Sequence, residues 1–205
     1  MNNINVILDY FDEVIPNPVC ELNYNKDYEL LIAVMLSAQT TDKRVNIVTN
    51  VLFNKYKSLE ELSRASLEDV MDIVKSLGNY KKKACAVIEI ANSLIINYEG
   101  IVPDNRCYLE SLPMVGRKTC NVVLSELFNL PNIAVDTHVK RVSNRLSLSN
   151  SFDVLIIEND LKKIINKERW NRFHHQAVLF GRYHCKAVKP LCDKCKLKNI
   201  CKKSN

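Results

Sequence analysis

LLIAVML, residues 30–36, decides the fold. Every position is apolar. On a helix of 3.6 residues per turn this puts hydrocarbon on all sides, the mark of a helix buried at the centre of others. The same period continues downstream. In Tyr80–Tyr98 the positions Ala84, Val87, Ile88, Ala91, Leu94, Ile95 and Tyr98 recur at i, i+3, i+4 and i+7. Ser58-Leu-Glu-Glu61 reads as a capping box that opens another helix. Similar patterns predict helices at about 4–14, 43–56, 66–76, 117–129, 137–148, 153–165 and 169–183. The 205 residues include only four glycines, and none follows Asn or Asp, so hairpin signals for strands are missing. The expected fold class is all-α. Breaks at Pro16-Asn-Pro18, Gly100–Pro103 and Pro131 divide the helices into two lobes flanking a cleft.

The chain is long enough to build a core without help from a metal. Its hydrophobic content of 47% and charged content of 25% are ordinary for a globular protein. Net charge is +6, but from Arg182 onward there are eight bases against one acid, so the remainder sums to about −1. Basicity this local suits a phosphate-facing surface, although a solvated tail has the same composition. The opening MNNINVILDYFDEV carries no basic n-region, and no apolar run reaches the roughly 18 residues of a membrane span. The expected location is therefore cytoplasmic, with no membrane partner. Thiols stay reduced there, and cysteines bind metal more readily than they form disulfides. Cys185, Cys192, Cys195 and Cys201 are spaced C-x6-C-x2-C-x5-C, as four thiolates around one metal centre would be. Spacing alone fits zinc or iron–sulfur, though zinc sites more often show two C-x2-C pairs. Cys20, Cys85, Cys107 and Cys120 are scattered and are expected to be small core residues.

Leu112-Pro-Met-Val-Gly-Arg-Lys118 follows a short helix and opens an apolar one. Pro113 ends what precedes it, and Gly116 is expected to let the backbone turn tightly. N–H groups at such a helix start, with the positive end of its dipole, suit a phosphate. The pattern is that of a helix-hairpin-helix, which grips a DNA backbone without reading sequence; an ordinary αα turn has the same signature. Lys118 falls in the first turn, where the helix is already positive. That setting, partial burial and neighbouring Arg117 are expected to favour the uncharged amine, a nucleophile able to form a Schiff base. Asp136, in Ile133-Ala-Val-Asp-Thr-His138, sits where an N-cap belongs. A carboxylate there can also stabilise positive charge on a sugar and shuttle protons. His138 is expected to pack or hydrogen-bond rather than catalyse.

These elements together resemble the endonuclease III family of DNA glycosylases. The matching words are LLIAVMLSAQTTD (30–42), VPDNRCYLESLPMVGRKTCNVVL (102–124), IAVDTHVKRVSNR (133–145) and FGRYHCKAVKPLCDKCKLKNIC (180–201). The resemblance implies a six-helix barrel lobe with the helix-hairpin-helix over 21–130. It implies a second helical lobe formed by 1–20 with 131–205, and a DNA-binding groove between the two. It implies a [4Fe–4S] cluster on the four C-terminal cysteines and a monomer acting on damaged double-stranded DNA. It further implies excision of oxidised pyrimidines in base-excision repair, by an enzyme that flips the base out of the duplex and then cuts the strand. Lys118 matches the nucleophile and Asp136 the catalytic acid. Gln39 falls where the family fills the gap left by the flipped base, although it could equally cap the buried helix before Asp42. Leu77-Gly-Asn-Tyr80 matches a loop that wedges into the stack, through Asn79 or Leu77. The DNA-gripping hairpin comprises Leu112, Pro113, Val115, Gly116 and Arg117, with Lys186 and Lys189 adding a basic loop. Met114 stands where the hairpin usually carries glycine, and is expected to turn inward. Two alternatives remain: a glycosylase for mismatched or alkylated bases on the same fold, and a non-catalytic DNA-binding module with a structural metal.

Overall fold

The computed structural model describes residues 3–202; Lys203, counted above in the basic tail, lies outside them. The described residues form eleven α-helices and no strand. In chain order they are α1 (Ile4–Val14), α2 (Asp27–Leu36), α3 (Asp42–Lys55), α4 (Leu59–Ser63), α5 (Leu67–Val74) and α6 (Tyr80–Tyr98). They continue with α7 (Arg106–Ser111), α8 (Arg117–Phe128), α9 (Thr137–Arg145), α10 (Val154–Ile164) and α11 (Trp170–Tyr183). Short 3₁₀ turns follow at Cys192–Lys194 and Lys198–Ile200. The all-α expectation holds. Among the described residues no helix is long and apolar enough to cross a membrane. The chain divides into two compact units, Glu21–Phe128 and Met1–Cys20 with Asn129–Asn205.

In the unit Glu21–Phe128, α2 is the axis. Leu30 to Ala33, Met35 and Leu36 are all fully buried. Helices α3, α6 and α8 pack around α2, while α4 and α5 pack on α6. Burying a leucine- or isoleucine-sized side chain is worth about 1.5–3 kcal/mol, so this axis carries much of the unit's stability. At its N-terminus the carboxylate of Glu29 folds back to accept from the backbone N–H of Asn25 at 2.7 Å. Ser58 does cap α4, its hydroxyl accepting from Glu61 N–H at 3.2 Å. The return bond differs from the expected box, because Glu61 accepts from Lys57 N–H at 2.6 Å. Arg106 on α7 braces the next pair, donating to the buried side-chain oxygen of Asn121 on α8 at 2.7 Å.

The other unit is built on aromatics. Phe11 of α1 lies between Phe173 and Phe180 of α11, with ring centroids 6.0 and 4.9 Å away. Val139 and Val142 of α9 and Ile157 and Leu161 of α10 complete this core. Asp12 ties α1 to α11: it accepts from Arg169 at 2.9 Å, and from Arg172 and Gln176 at 2.8 Å. Gly181 lets α11 approach α9, since a Cβ there would lie 2.8 Å from the Cβ of His138. The C-terminal turns join the same core through Leu197 and Cys201. Helix α9 is shorter than the pattern predicted. It stops at Arg145, and Ser147 then adopts a left-handed φ of 58°, which a helix cannot continue through.

The scattered cysteines only partly fit the core role expected of them. Cys120 is buried, Cys20 and Cys85 are half-buried, and Cys107 is exposed. Composition marks cysteine as a small hydrophobe but does not say which face of a helix it occupies.

Two substitutions test this packing. Gly181→Ala forces a contact that neither helix can relieve by a side-chain rotation, and should lower stability by about 1–3 kcal/mol in denaturant unfolding. Asp12 gives a pH signature. Burial opposes its ionisation, but hydrogen bonds from Gln176, Arg172 and Arg169 outweigh that and hold the carboxyl at about 2. A carboxyl depressed in the folded state stabilises above its unfolded value near 4, and the benefit is lost as pH falls toward 2. Thermal melts of Asp12→Asn should therefore depend less steeply on pH across that window than those of the wild type.

Candidate functional site

Lys118 is the second residue of α8, and its side chain is exposed. The partial burial expected from sequence is not met; the protein by itself leaves this amine in water. Ahead of it, Val115 N–H donates to Leu112 C=O at 3.1 Å, and Gly116 C=O accepts the first helical bond, from Cys120 N–H at 3.0 Å. Leu112 and Val115 are buried and anchor the hairpin from inside, while Gly116 and Arg117 are exposed and Pro113 is half-buried. The side chains of Leu112 and Val115 therefore pack inward.

Two expectations about this hairpin reverse. Gly116 does not take a left-handed φ, and a Cβ there would meet nothing within 4 Å. The backbone conformation that favours glycine falls instead on Met114, at φ 59°. Met114 is also 38% exposed rather than turned inward. Sequence showed a glycine near a turn, but which residue takes the left-handed conformation depends on how α7 and α8 pack.

Asp136 caps α9. Its Oδ1 accepts from His138 N–H at 2.8 Å and from Val139 N–H at 2.7 Å. Among the described residues no hydrogen bond reaches Oδ2, so capping leaves one oxygen for other work. His138 shares a contact of 3.1 Å between its Nδ1 and the Arg141 guanidinium. Burial pushes its pKa down, against the attraction of Asp136, as suits the packing role expected of it.

Gln39 lies in the turn after α2, exposed, at a left-handed φ of 57°. It does not cap α2, whose C-cap is Ser37; Thr41 opens α3, its hydroxyl accepting from Arg44 N–H at 3.4 Å. In the turn before α6, Asn79 is exposed at φ 58°, whereas Leu77 is 2% exposed. Leu77 is a core residue and cannot serve as a wedge; Asn79 is what that turn displays. Both Gln39 and Asn79 adopt a conformation that costs a non-glycine residue, and such strain concentrates at functional sites.

Sequence reasoning missed Lys83. Its side chain is 1% exposed, and its amine donates to Leu36 C=O and Ala38 C=O at 2.8 Å and to the Thr40 hydroxyl at 3.3 Å. In the run Tyr80-Lys-Lys-Lys-Ala84 it looks like one surface lysine of three. Only its place on the apolar face, directly before Ala84, signals otherwise.

Cys185, Cys192, Cys195 and Cys201 line one cavity, with Tyr10, Phe180, Leu146 and Arg145 as further wall. Burial, then the proximity of the other three sulfurs, pushes the Cys195 thiol up against a backbone hydrogen bond that lowers it. Among the described residues no three His, Cys, Asp or Glu groups are placed to hold a metal ion. The four cysteines share the wall of that cavity. Arg145 secures its rim, donating to Lys186 C=O at 2.7 Å and to the Cys185 sulfur at 3.2 Å. Lys186 and Lys189 project from that loop into solvent, with Lys189 at φ 50°.

Residues 32–167 match the family of HhH-GPD superfamily base excision DNA repair proteins. Endonuclease III of Bacillus subtilis (strain 168) is 44% identical over 203 residues, covering 98% of this chain and 93% of that protein. Endonuclease III of Escherichia coli (strain K12) is 41% identical over 195 residues, covering 95% and 92%. A trapped covalent intermediate of endonuclease III with DNA, an estranged-adenine complex, superposes with a TM-score of 0.94 at 45% identity, over 98% of this chain and 95% of that one. A thermostable thymine-DNA glycosylase shares the fold at a TM-score of 0.83 and 24% identity. The chain belongs to the HhH-GPD superfamily of base excision DNA repair proteins and, within it, to the endonuclease III family. It is accordingly an enzyme of base excision repair, a DNA glycosylase.

The reversal in the hairpin has a measurable consequence for stability. Met114→Gly removes a left-handed penalty of about 1–2 kcal/mol and adds chain entropy of about 0.5–1 kcal/mol, for a small net gain. Gly116→Ala should leave the melting temperature unchanged or slightly raised. Calorimetry that found the opposite order would show that Gly116 is the strained position.

Proposed function

We propose that this chain excises oxidised pyrimidines from duplex DNA and cleaves the abasic site it creates, with Lys118 as nucleophile. The observation that carries the reading is an exposed amine at the start of α8, in a chain 45% identical to an endonuclease III trapped covalently on DNA. The uncharged amine adds to C1′ of the sugar as the glycosidic bond breaks and the base leaves. The nitrogen loses a proton, the C1′–O4′ bond breaks with O4′ taking up a proton, and the opened sugar is left joined to Lys118 as a Schiff base. Loss of a C2′ proton then drives β-elimination, which breaks the bond to the 3′ oxygen and departs with the phosphate; water releases the lysine. Because Lys118 stands in water in the free protein, a bound nucleotide has to displace that water for the amine to reach C1′.

Asp136 has the chemistry for the second role. One of its oxygens is held by α9, and the other can stabilise positive charge on the sugar or accept a proton. The N–H groups at the start of α8 would receive a phosphate oxygen, and bare Gly116 lets the backbone approach it closely. Duplex DNA is the partner, held by contacts to phosphates, with Arg117, Lys186 and Lys189 as exposed bases. Gln39 and Asn79 would occupy the space that an extruded base leaves. The protein acts as a monomer in this reading.

The four cysteines would hold a [4Fe–4S] cluster. Zinc sites more often show two C-x2-C pairs, and this chain has one, Cys192 and Cys195. When bound, the cluster supplies a cationic tie among the thiolates and no step of base removal. What the chain gains is a fixed 186–191 loop. Arg145 and the backbone bond from Leu191 N–H to His184 C=O at 2.9 Å hold its two ends.

Borohydride reduction during turnover on an oxidised-pyrimidine duplex should link protein to DNA, and Lys118→Ala should abolish the link while the protein still binds. A persistent link in that variant would remove Lys118 from the mechanism. Gly116→Ala should weaken duplex binding several-fold without loss of stability. Iron and acid-labile sulfide should each assay at about four per chain; stoichiometric zinc would overturn the cluster.

A further inference from the structure

Lys83 has no part in the chemistry above, yet it is among the largest fully buried side chains of the protein. A lysine is almost never buried without a carboxylate partner, because desolvating its charge is expensive. Among the described residues Lys83 has none. Its three hydrogen bonds all go to the turn after α2: Leu36 C=O, Ala38 C=O and the Thr40 hydroxyl. Three acceptors match the three protons of an ammonium. Burial pushes its pKa down, and bonds donated by the charged form work against that.

Part of this is capping. The last carbonyls of α2 lack intrahelical donors and carry the negative end of the helix dipole, so a buried ammonium there is stabilising. Capping alone explains Leu36. It does not explain why the bonds continue through Ala38 to Thr40, past the end of the helix and across both sides of Gln39. Gln39 is held at φ 57°, a conformation glutamine does not favour and which persists only where the surroundings impose it. The other end of Lys83 meets the second strained turn. Its backbone N–H donates to the C=O of Asn79 at 3.1 Å, and Asn79 sits at φ 58°. That bond is the ordinary first turn of α6, so what Lys83 adds is its amine, which ties the Gln39 turn to the start of the helix that Asn79 caps.

We propose that Lys83 is a positioning residue that locks the Gln39 and Asn79 turns in one fixed relation, so that both are poised to fill a duplex from which a base has been extruded. This rests on the reading of those two residues as DNA-inserting. The preorganisation matters most when a paired base has to be pulled from the stack, and least at an abasic site, where there is no base to unstack.

The test compares Lys83→Met, which keeps the length and apolar stem but loses every donor, with Lys83→Arg, which keeps the charge. Without DNA, amide exchange over residues 37–41 should rise at least tenfold in Lys83→Met; unchanged exchange overturns the proposal whatever the enzyme does. On DNA, single-turnover excision of an oxidised pyrimidine paired in a duplex should fall at least tenfold. Borohydride trapping on a preformed abasic site should fall less than threefold, and Lys83→Arg should recover part of the difference. Equal losses on the two substrates would mean that Lys83 merely stabilises the fold, and would overturn the proposal. The combined Lys83→Met and Gln39→Ala variant should lose no more excision than the worse single variant, because both act through one turn; additive losses count against it. Should Lys83→Met not fold, Thr40→Val removes one of the three acceptors and should show the same selective loss on the paired base. Trapping of the wild type on the abasic site tests the underlying function separately from these ratios.

Discussion

A helix with hydrocarbon on every side can exist only where other helices wrap it. That constraint, set by α2, organises the unit Glu21–Phe128. Wrapping a helix also buries its ends, where backbone carbonyls have no internal donors. At the N-terminus Glu29 turns back to the chain, and at the C-terminus Lys83 reaches across from α6. The apolar axis therefore demands two buried polar side chains, and the second lies between the turns carrying Gln39 and Asn79. Core packing and the candidate DNA-inserting turns are in this way parts of one arrangement.

The other unit solves a different problem. A ring of thiols would repel itself if ionised, so it needs a cation; without one it needs a rigid frame to keep the sulfurs from dispersing. The frame is visible in the protein alone. Phe11, Phe173 and Phe180 build the core on which Cys201 and Leu197 rest, and Arg145 ties the Cys185–Ala187 backbone to α9. Asp136 belongs to the same helix. Cap and basic loop are thus anchored at opposite ends of α9, with Gly181 allowing α11 to pack close against it.

Several corrections share one cause. Leu77, Met114 and Gly116 were each assigned from residue type at a motif position. Leucine suggested a wedge, but apolar character describes an intercalating side chain and a core side chain equally, and at 2% exposure Leu77 is the latter. Glycine suggested a tight turn, but an absent side chain serves a strained backbone and an approaching ligand alike. The structure puts the strain on Met114 and leaves open space over Gly116. Partial burial was expected of Lys118 alongside its place at a helix start; exposure depends on what covers the helix, which no local pattern reports.

Sequence by itself determined the helical class, most helix positions, the cap at Asp136 and the four-cysteine set. Each of these depends on period, spacing or the side-chain chemistry of near neighbours, which a linear chain displays directly. Tertiary structure alone decided which residue of a turn takes the left-handed conformation, and which lysine of a run of three is buried. It also decided that the four cysteines line one cavity. Those outcomes depend on packing between segments far apart in the chain: Lys83 meets Leu36 across 47 residues, and Arg145 meets Cys185 across 40. Nothing in a local pattern encodes that separation.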